Sequence, residues 1–404
     1  MTEQPSLGKG YRVLILSASA GTGHLKAAEA LENAAHRNPS IVEVAHVDAL
    51  DYTNKLFRDF YSKLYTKLIQ DAPTFLGWWY ENSDEPWKTD RMRLLLDRMN
   101  TGPLVRMIKE LRPDMTICTH FLPAEIISHL IAKGDIEAKL SIVVTDFDFH
   151  AMWLSKTFHH YFVALEETKV HLTMLGLPQD RISVSGIPVH EIFSQQKNKG
   201  ELCRKHKLRA DLPILLLSAG ALGVGPAETA VQVLRHLETP AQIIVICGKN
   251  EELQVKIREL SGTNYPPHLS VHVLGYTTEM DEWMTMADLY IGKPGGLTTA
   301  ELLTKGVPMA ILSPIPGQEE RNSDHLLEKG VAIKCNEFTT LAYKIDLLFK
   351  NPGRLARMRA CALELARPDA AAYVVQTLLM EMDREPHTVA KSEQLSMAKN
   401  NLKV

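Results

Sequence analysis

Few residues in this sequence pair a reactive side chain with a place that could use it, and His24 stands first among them. It closes the run Ser17-Ala18-Ser19-Ala20-Gly21-Thr22-Gly23-His24, between an apolar stretch at Arg12–Leu16 and a helical stretch of Ala, Leu and Glu. Glycines let backbone approach a ligand closely, and a helix start presents unpaired N–H groups and positive charge. An imidazole there tends to stay neutral, so it can accept a proton from a hydroxyl as a general base. A solvated ring at a helix start is the other reading, and the residues alone leave both open. The run is a poor dinucleotide fingerprint, because Lys26 replaces the third glycine of G-x-G-x-x-G and Asp48 stands alone at the ribose spacing.

Three more loops could bind a ligand. Ser218-Ala219-Gly220-Ala221-Leu222-Gly223-Val224-Gly225 follows an apolar run and could approach a diphosphate through Gly220. In Gly292-Lys293-Pro294-Gly295-Gly296-Leu297-Thr298-Thr299-Ala300-Glu301, the Gly295-Gly296 pair and the helix start at Leu297 offer N–H donors. Thr298 adds a hydroxyl, Lys293 a charge, and Glu301 a carboxylate able to take two ribose hydroxyls or merely to favour its helix dipole. Pro314-Ile315-Pro316-Gly317-Gln318-Glu319-Glu320-Arg321-Asn322 packs amides and carboxylates suited to sugar hydroxyls. A surface turn is the plain reading of any one of these loops, but three at strand ends within one domain are harder to dismiss.

Such turns need strands to hold them. Short apolar runs alternate with amphipathic stretches, the pattern of parallel α/β architecture. Strands are expected at Arg12–Leu16, Val42–Val47, Met115–Cys118, Ser141–Thr145, Tyr161–Ala164 and Ile182–Ser185. A second set follows at Ile214–Ser218, Ile243–Cys247, Val271–Leu274, Leu289–Ile291, Met309–Leu312 and Val331–Ile333. The expected fold is α/β, with two doubly wound Rossmann-like domains facing a central cleft and ligands at the carboxyl ends of the strands. The boundaries are read as a domain over 1–193, a polar linker over 194–210, a domain over 211–365, a C-terminal helix over 366–383 and an aperiodic tail over 384–404.

Composition narrows the class. The 404 residues are 45% hydrophobic and 23% charged with a formal net charge of -3, which does not suit a nucleic-acid binder. The five cysteines (118, 203, 247, 335 and 361) lie far apart with no C-x-x-C pair, so a disulfide framework or zinc site is not expected and a cytoplasmic location is. No stretch nears the roughly 20 apolar residues that span a bilayer, and the polar start does not read as a signal peptide.

Together these loops resemble the family of monogalactosyl- and glucosyl-diacylglycerol synthases, related to the enzyme that adds N-acetylglucosamine to the undecaprenyl lipid. The resemblance runs from about Tyr11 to Leu379. It is carried by Gly21-Thr22-Gly23-His24, Val144-Thr145-Asp146 with His150 and Trp153, Ser185-Gly186-Ile187-Pro188, Gly292-Lys293-Pro294-Gly295-Gly296 and Pro316-Gly317-Gln318-Glu319. It implies the GT-B fold and inverting transfer of glucose or galactose from a UDP-sugar to diacylglycerol or a similar lipid hydroxyl, with no active-site metal and no cofactor. The first domain then binds the lipid acceptor and the second the UDP-sugar. His24 becomes the general base and Glu301 the ribose ligand. Gln318, Glu319 and Asn322 hold the sugar, and Lys293, Gly295 and Gly296 face the diphosphate, with Leu297 and Thr298 beside them. Gly21, Thr22, Gly23, Asp146, His150 and Trp153 fall on the acceptor side, Asp146 and His150 either lining it or orienting His24. Thr22 interrupts a run that reads as three glycines in the galactolipid enzymes, which leaves the donor sugar open. Asp146-Phe147-Asp148 is formally a D-x-D, but that manganese motif belongs to a one-domain fold without paired glycine turns.

An enzyme acting on a membrane lipid has to work from the surface, peripherally on the inner face of the cell membrane. Ten of the 27 aromatics, among them Trp78, Trp79 and Trp87, lie between Tyr52 and Trp87, with Lys55, Arg58, Lys63, Lys67, Lys88, Arg91, Arg93 and Arg98 interleaved or close by. Such segments suit an anionic membrane surface, although core aromatics under a solvated charged face would read the same way. Three other functions stay open: an N-acetylglucosamine transferase acting on a polyprenyl lipid, a UDP-sugar epimerase, and a UDP-sugar sensor without turnover.

Overall fold

The structure is a computed structural model and describes residues 10–19, 22–52, 102–262 and 265–383. They fall into two units divided at His190/Glu191, and the chain returns to the first unit at Asp369.

The first unit runs β1 (Tyr11–Ser17), α1 (Thr22–His36), β2 (Ile41–Asp48), α2 (Gly102–Leu111), β3 (Met115–Cys118), α3 (Phe121–Lys133), β4 (Leu140–Val143), β5 (His160–Val163), α4 (Glu166–Met174) and β6 (Ile182–Val184). All six strands are parallel, in the order β2-β1-β3-β4-β5-β6. Parallel strands need crossover helices on both faces, so the inner strands are buried and largely apolar, while the edge strand β2 carries Glu43, His46 and Asp48 and has no fully buried residue. Successive residues of β1 supply different cores: Leu14 and Leu16 point to one face, Val13 and Ile15 to the other.

The second unit runs α5 (Lys199–Lys205), β7 (Ile214–Ser218), α6 (Ala227–Leu234), β8 (Ala241–Ile246), α7 (Glu251–Gly262), β9 (Leu269–Leu274), α8 (Met280–Met286), β10 (Leu289–Gly292), α9 (Gly296–Lys305), β11 (Met309–Leu312), α10 (Gln318–Glu328), β12 (Ala332–Cys335), α11 (Leu341–Phe349) and α12 (Pro352–Leu365). Its six parallel strands take the order β12-β11-β10-β7-β8-β9. All twelve strands expected from the sequence are present, shifted by a residue or two at their ends.

The stretch read as a linker behaves differently. It has no strand, as expected, but α5 lies within it and buries Leu202 and Cys203 in the second unit. Basic residues around α5 meet acids at and beyond α8: Lys197 pairs with Asp281 and Glu282, Lys199 with Asp288, and Lys205 with Glu279 and Glu282. A polar sequence can therefore be a packed surface helix when its charges have fixed partners.

The final helix, α13 (Ala370–Met382), closes the apolar face of the first unit beside α1 through Val374, Val375, Leu378 and Leu379. Its end is pinned twice. Tyr11 donates its hydroxyl to Asp383 at 2.7 Å, and the Glu381 carboxylate lies 2.9 Å from His159 Nε2 and 2.8 Å from His160 Nδ1. Burial opposes the charge on Glu381, yet the two imidazoles prevail and hold its carboxyl down at about 2. A carboxyl whose folded pKa lies below its ordinary 4.5 stabilises the fold above that pH and loses the contribution as pH falls toward 2. Glu381→Gln should therefore cost roughly 1–3 kcal/mol at pH 5, with the difference vanishing near pH 2. Urea unfolding at stepped pH tests this, and an equal deficit at every pH would remove the ionic role.

Candidate active site

In an open α/β sheet, ligands collect outside the carboxyl ends of the strands where the order reverses, because neighbouring loops there turn away to opposite faces. In the first unit the chain passes from β1 to β2 on one side and resumes with β3 on the other, so the reversal lies between β1 and β3. His24 enters α1 from the end of β1, and Thr119, His120 and Phe121 leave the end of β3.

His24 is part-buried, and its Nδ1 lies 3.1 Å from the Thr119 carbonyl oxygen and 2.7 Å from Thr145 Oγ1. A carbonyl can only accept, so the ring proton sits on Nδ1 and the lone pair on Nε2. Among the described residues Nε2 has no hydrogen-bond partner. The Thr119 hydroxyl fastens the other end of the contact by donating to the His24 carbonyl at 3.0 Å. Burial brings the imidazole down to about 4, partly opposed by the bond to Thr119. The imidazole is thus neutral at ordinary pH, and desolvation rather than a helix dipole is the main cause.

The His120 ring stands edge-to-face with His24 at 4.5 Å, and the Phe121 ring lies 4.2 Å from it, tilted by 32°. Trp153 lies 6.4 Å from both histidines and 6.0 Å from Phe121. His120 caps α3 by accepting the Leu122 N–H on Nδ1, and burial with the neighbouring His24 holds it well below the usual imidazole range.

The other residues that the sequence put on the acceptor side have these places. Buried Asp146 accepts the Trp153 indole N–H at 3.3 Å, and Asp146 is not among the partners of His24; Thr119 and Thr145 orient that ring instead. His150 accepts the Met152 N–H on Nδ1 and so caps the single turn that carries Trp153. Thr22 is exposed and Gly23 part-buried at the start of α1, while Gly21 lies outside the described residues. Thr119, His120 and Phe121 were missed from sequence. Their only signal was a place after the third strand, which matters once β3 is known to adjoin β1.

In the second unit the reversal falls between β7 and β10. The loops after β7, β10 and β11, neighbours in the sheet, are the three glycine-rich ones. Gly220 turns the first with φ +79, and its N–H is already taken by Ser218 Oγ at 3.1 Å. At Gly223 a Cβ would meet the Cys247 carbonyl at 2.3 Å, so this loop lies tight on the turn after β8. The first backbone bond of α9 runs from Thr299 N–H to the Gly295 carbonyl. The Gly296, Leu297 and Thr298 amides precede it and form the helix's donor end.

Two residues of α10 bind these loops together. Asn322, expected against the sugar, is 1% exposed and donates its amide to the Pro294 carbonyl at 3.0 Å, so it braces the glycine pair from behind. Glu319 accepts the Ile315 N–H at 2.6 Å on one oxygen and turns the other toward Gly295. Burial raises its carboxyl, against the Ile315 N–H and Lys293. Gln318 opens α10, part-buried, and Glu301 sits in α9 close enough to act on Tyr290. Tyr290, buried on β10 and missed from sequence, is the common neighbour. Burial raises its phenol, the Ser218 hydroxyl opposes, and Glu319 and Glu301 add to the rise.

Among the described residues one group has metal-ligand spacing, His206, Glu279 and Glu282, away from these loops in sequence. The Lys205 ammonium lies between its two carboxylates, at 2.8 and 2.7 Å, and supplies the positive charge there.

Known proteins are similar to this chain in sequence and fold. Residues 24–189 fit the family model of monogalactosyldiacylglycerol (MGDG) synthase, and residues 226–374 fit that of the glycosyltransferase family 28 C-terminal domain. A processive diacylglycerol beta-glucosyltransferase of Bacillus cereus is 29% identical over 392 residues, covering 96% of this chain and 99% of its own. One of Staphylococcus saprophyticus is 29% identical over 349 residues, 86% of this chain and 87% of its own. Among solved structures, MurG of Acinetobacter baumannii superposes with a TM-score of 0.59 at 20% identity, over 92% of this chain and 99% of that one. A UDP-GlcNAc 2-epimerase of Neisseria meningitidis gives 0.58 at 13% identity, over 91% and 100%. At those identities the structures share the fold alone. The histidine cluster lies within the first matched region, two of the glycine loops lie inside the second and the loop over 218–225 just before it, and the chain is a glycosyltransferase of the diacylglycerol-glycosylating family, an MGDG synthase domain followed by a family 28 C-terminal domain.

Proposed function

We propose that this enzyme moves a hexose from a UDP-sugar to the hydroxyl of diacylglycerol with inversion, using His24 as the base. The observation that carries the reading is the tautomer of His24: Nδ1–H is fixed on Thr119 and Thr145, and the Nε2 lone pair is left to take a proton. The acceptor hydroxyl gives its proton to Nε2 as its oxygen forms the bond to the anomeric carbon, and the bond from that carbon to the UDP oxygen breaks with its electron pair. The Gly296, Leu297 and Thr298 amides and Lys293 receive the charge developing on the diphosphate. This positive end makes a metal unnecessary for the leaving group. Glu301 accepts the ribose hydroxyls, Gln318 and Glu319 hold the sugar, and Asn322 keeps their loop in place. The beta-glucosyl activity of the relatives favours glucose as the sugar. The alternative of a polyprenyl-lipid N-acetylglucosamine transferase has a shared fold in its support, and so does the epimerase.

On this reading the enzyme meets its lipid acceptor at a membrane surface, and we take that surface to be the cytoplasmic face. The aromatic and basic stretch suited to docking lies, after Tyr52, outside the described residues, and Tyr52 itself packs on the first core. No helix among the described residues is long and apolar enough to cross a membrane.

Two measurements test the site. His24→Ala should lower the transfer rate about 10²–10⁴-fold while UDP binding holds. In the wild type, kcat/KM should rise with pH through about 4 and stay level above it, since the base works unprotonated. Near-normal turnover of the variant would end the assignment. Glu301→Ala should weaken UDP by about 1–3 kcal/mol by calorimetry, leaving a ribose diol unpaired, with no effect on free uracil. Unchanged UDP affinity would reduce Glu301 to a helix residue.

A further inference from the structure

The rings around His24 differ in what they offer to a substrate. His120 and Trp153 are each 2% exposed and act as backing. His24 and Phe121 keep part of their surface, and both lie against the same His120 ring, at 4.5 and 4.2 Å. Phe121 is the first residue of α3, so the helix cap that fixes His120 also fixes the base of the phenyl ring. Its ring packs edge-on to Trp153 at 6.0 Å, which the Asp146 carboxylate holds through the indole N–H. A partly exposed aromatic ring on a rigid mount is thereby held against the same His120 ring as the histidine that is read as the base. A glycerol hydroxyl on two acyl chains has little to stack there. A pyranose does: its axial C–H groups form an apolar face that lies on an aromatic ring, while its hydroxyls stay at the edge where a base can reach one.

We propose that Phe121 is the platform for a sugar-bearing acceptor, so that it determines whether a hexosyl-diacylglycerol, the product of one transfer, is accepted for another. This rests on the reading of His24 as the base and deepens it. In the second transfer the hexose hydroxyl gives its proton to His24 Nε2, its oxygen bonds to the anomeric carbon of a new donor, and UDP leaves as in the first. The difference between the two transfers is confined to what lies on the phenyl face.

The experiment compares the wild type with Phe121→Leu and Phe121→Trp, using the full chain. Purified diacylglycerol and monohexosyl-diacylglycerol in mixed micelles are supplied separately as acceptors with UDP-glucose, and kcat/KM is measured for each. Leu keeps apolar bulk and loses the π face, so the ratio of second to first transfer should fall about three- to tenfold. Trp offers a larger face and should return the ratio to the wild-type value or above. Circular dichroism melting shows whether the variants remain folded, and the ratio is independent of the fraction of active enzyme. Equal losses with both acceptors, or the same ratio for Leu as for the wild type, overturn the platform. His24→Ala run in the same assays separates the two ideas: if it keeps both transfers, the reading of the base falls whatever Phe121 does.

Discussion

A parallel sheet cannot be wound in one direction and still bring two loops together at its carboxyl edge, because successive crossovers carry each loop onto the same face. Both sheets reverse once, between β1 and β3 and between β7 and β10. In the first unit that reversal makes the Thr119 carbonyl a neighbour of His24, although the two are 95 positions apart in the chain. The proton on Nδ1, the lone pair on Nε2 and the burial that keeps the ring neutral all follow from that adjacency.

The same constraint explains why the polar groups of each site are held by partners within the protein. His120 caps a helix and supplies the ring between His24 and Phe121. Asp146 secures an indole, and His150 caps the turn that bears it. In the second unit Asn322 holds a carbonyl of the glycine loop rather than offering its amide outward. A buried polar group must find a partner inside the protein, and groups near a reacting centre find one another. The product is a rigid frame, so a base or a donor amide need not reorganise during the reaction.

The burial of His24 and Glu319 runs in chemically opposite directions. Desolvation disfavours charge in both, so it lowers the imidazole and raises the carboxyl. For His24 the result is an imidazole that is free of its proton at neutral pH. For Glu319 the Ile315 N–H and Lys293 answer the burial and fix the carboxylate beside Gly295.

Much of this was written locally in the sequence. Short apolar runs gave away the inner strands because a strand buried on both faces has little polar side to show, and the edge strands β2 and β9 were legible despite polar residues within them. Gly21-Thr22-Gly23-His24 and the three later glycine loops were visible because a turn from strand to helix that admits a ligand needs small residues at fixed places. Which loops are neighbours was not legible, since strand order depends on how helices pack and leaves no mark at any one residue. Thr119, His120, Phe121 and Tyr290 therefore had no signal of their own, and Asn322 was given to the sugar when its amide faces a backbone carbonyl. The stretch over 194–210 looked like a linker for a related reason: its lysines find acids some 74 to 89 positions later, and only the folded chain supplies those partners. Residue type and local spacing determined the chemistry available to this protein, while long-range packing decided which nitrogen would carry the proton and what would stand beside it.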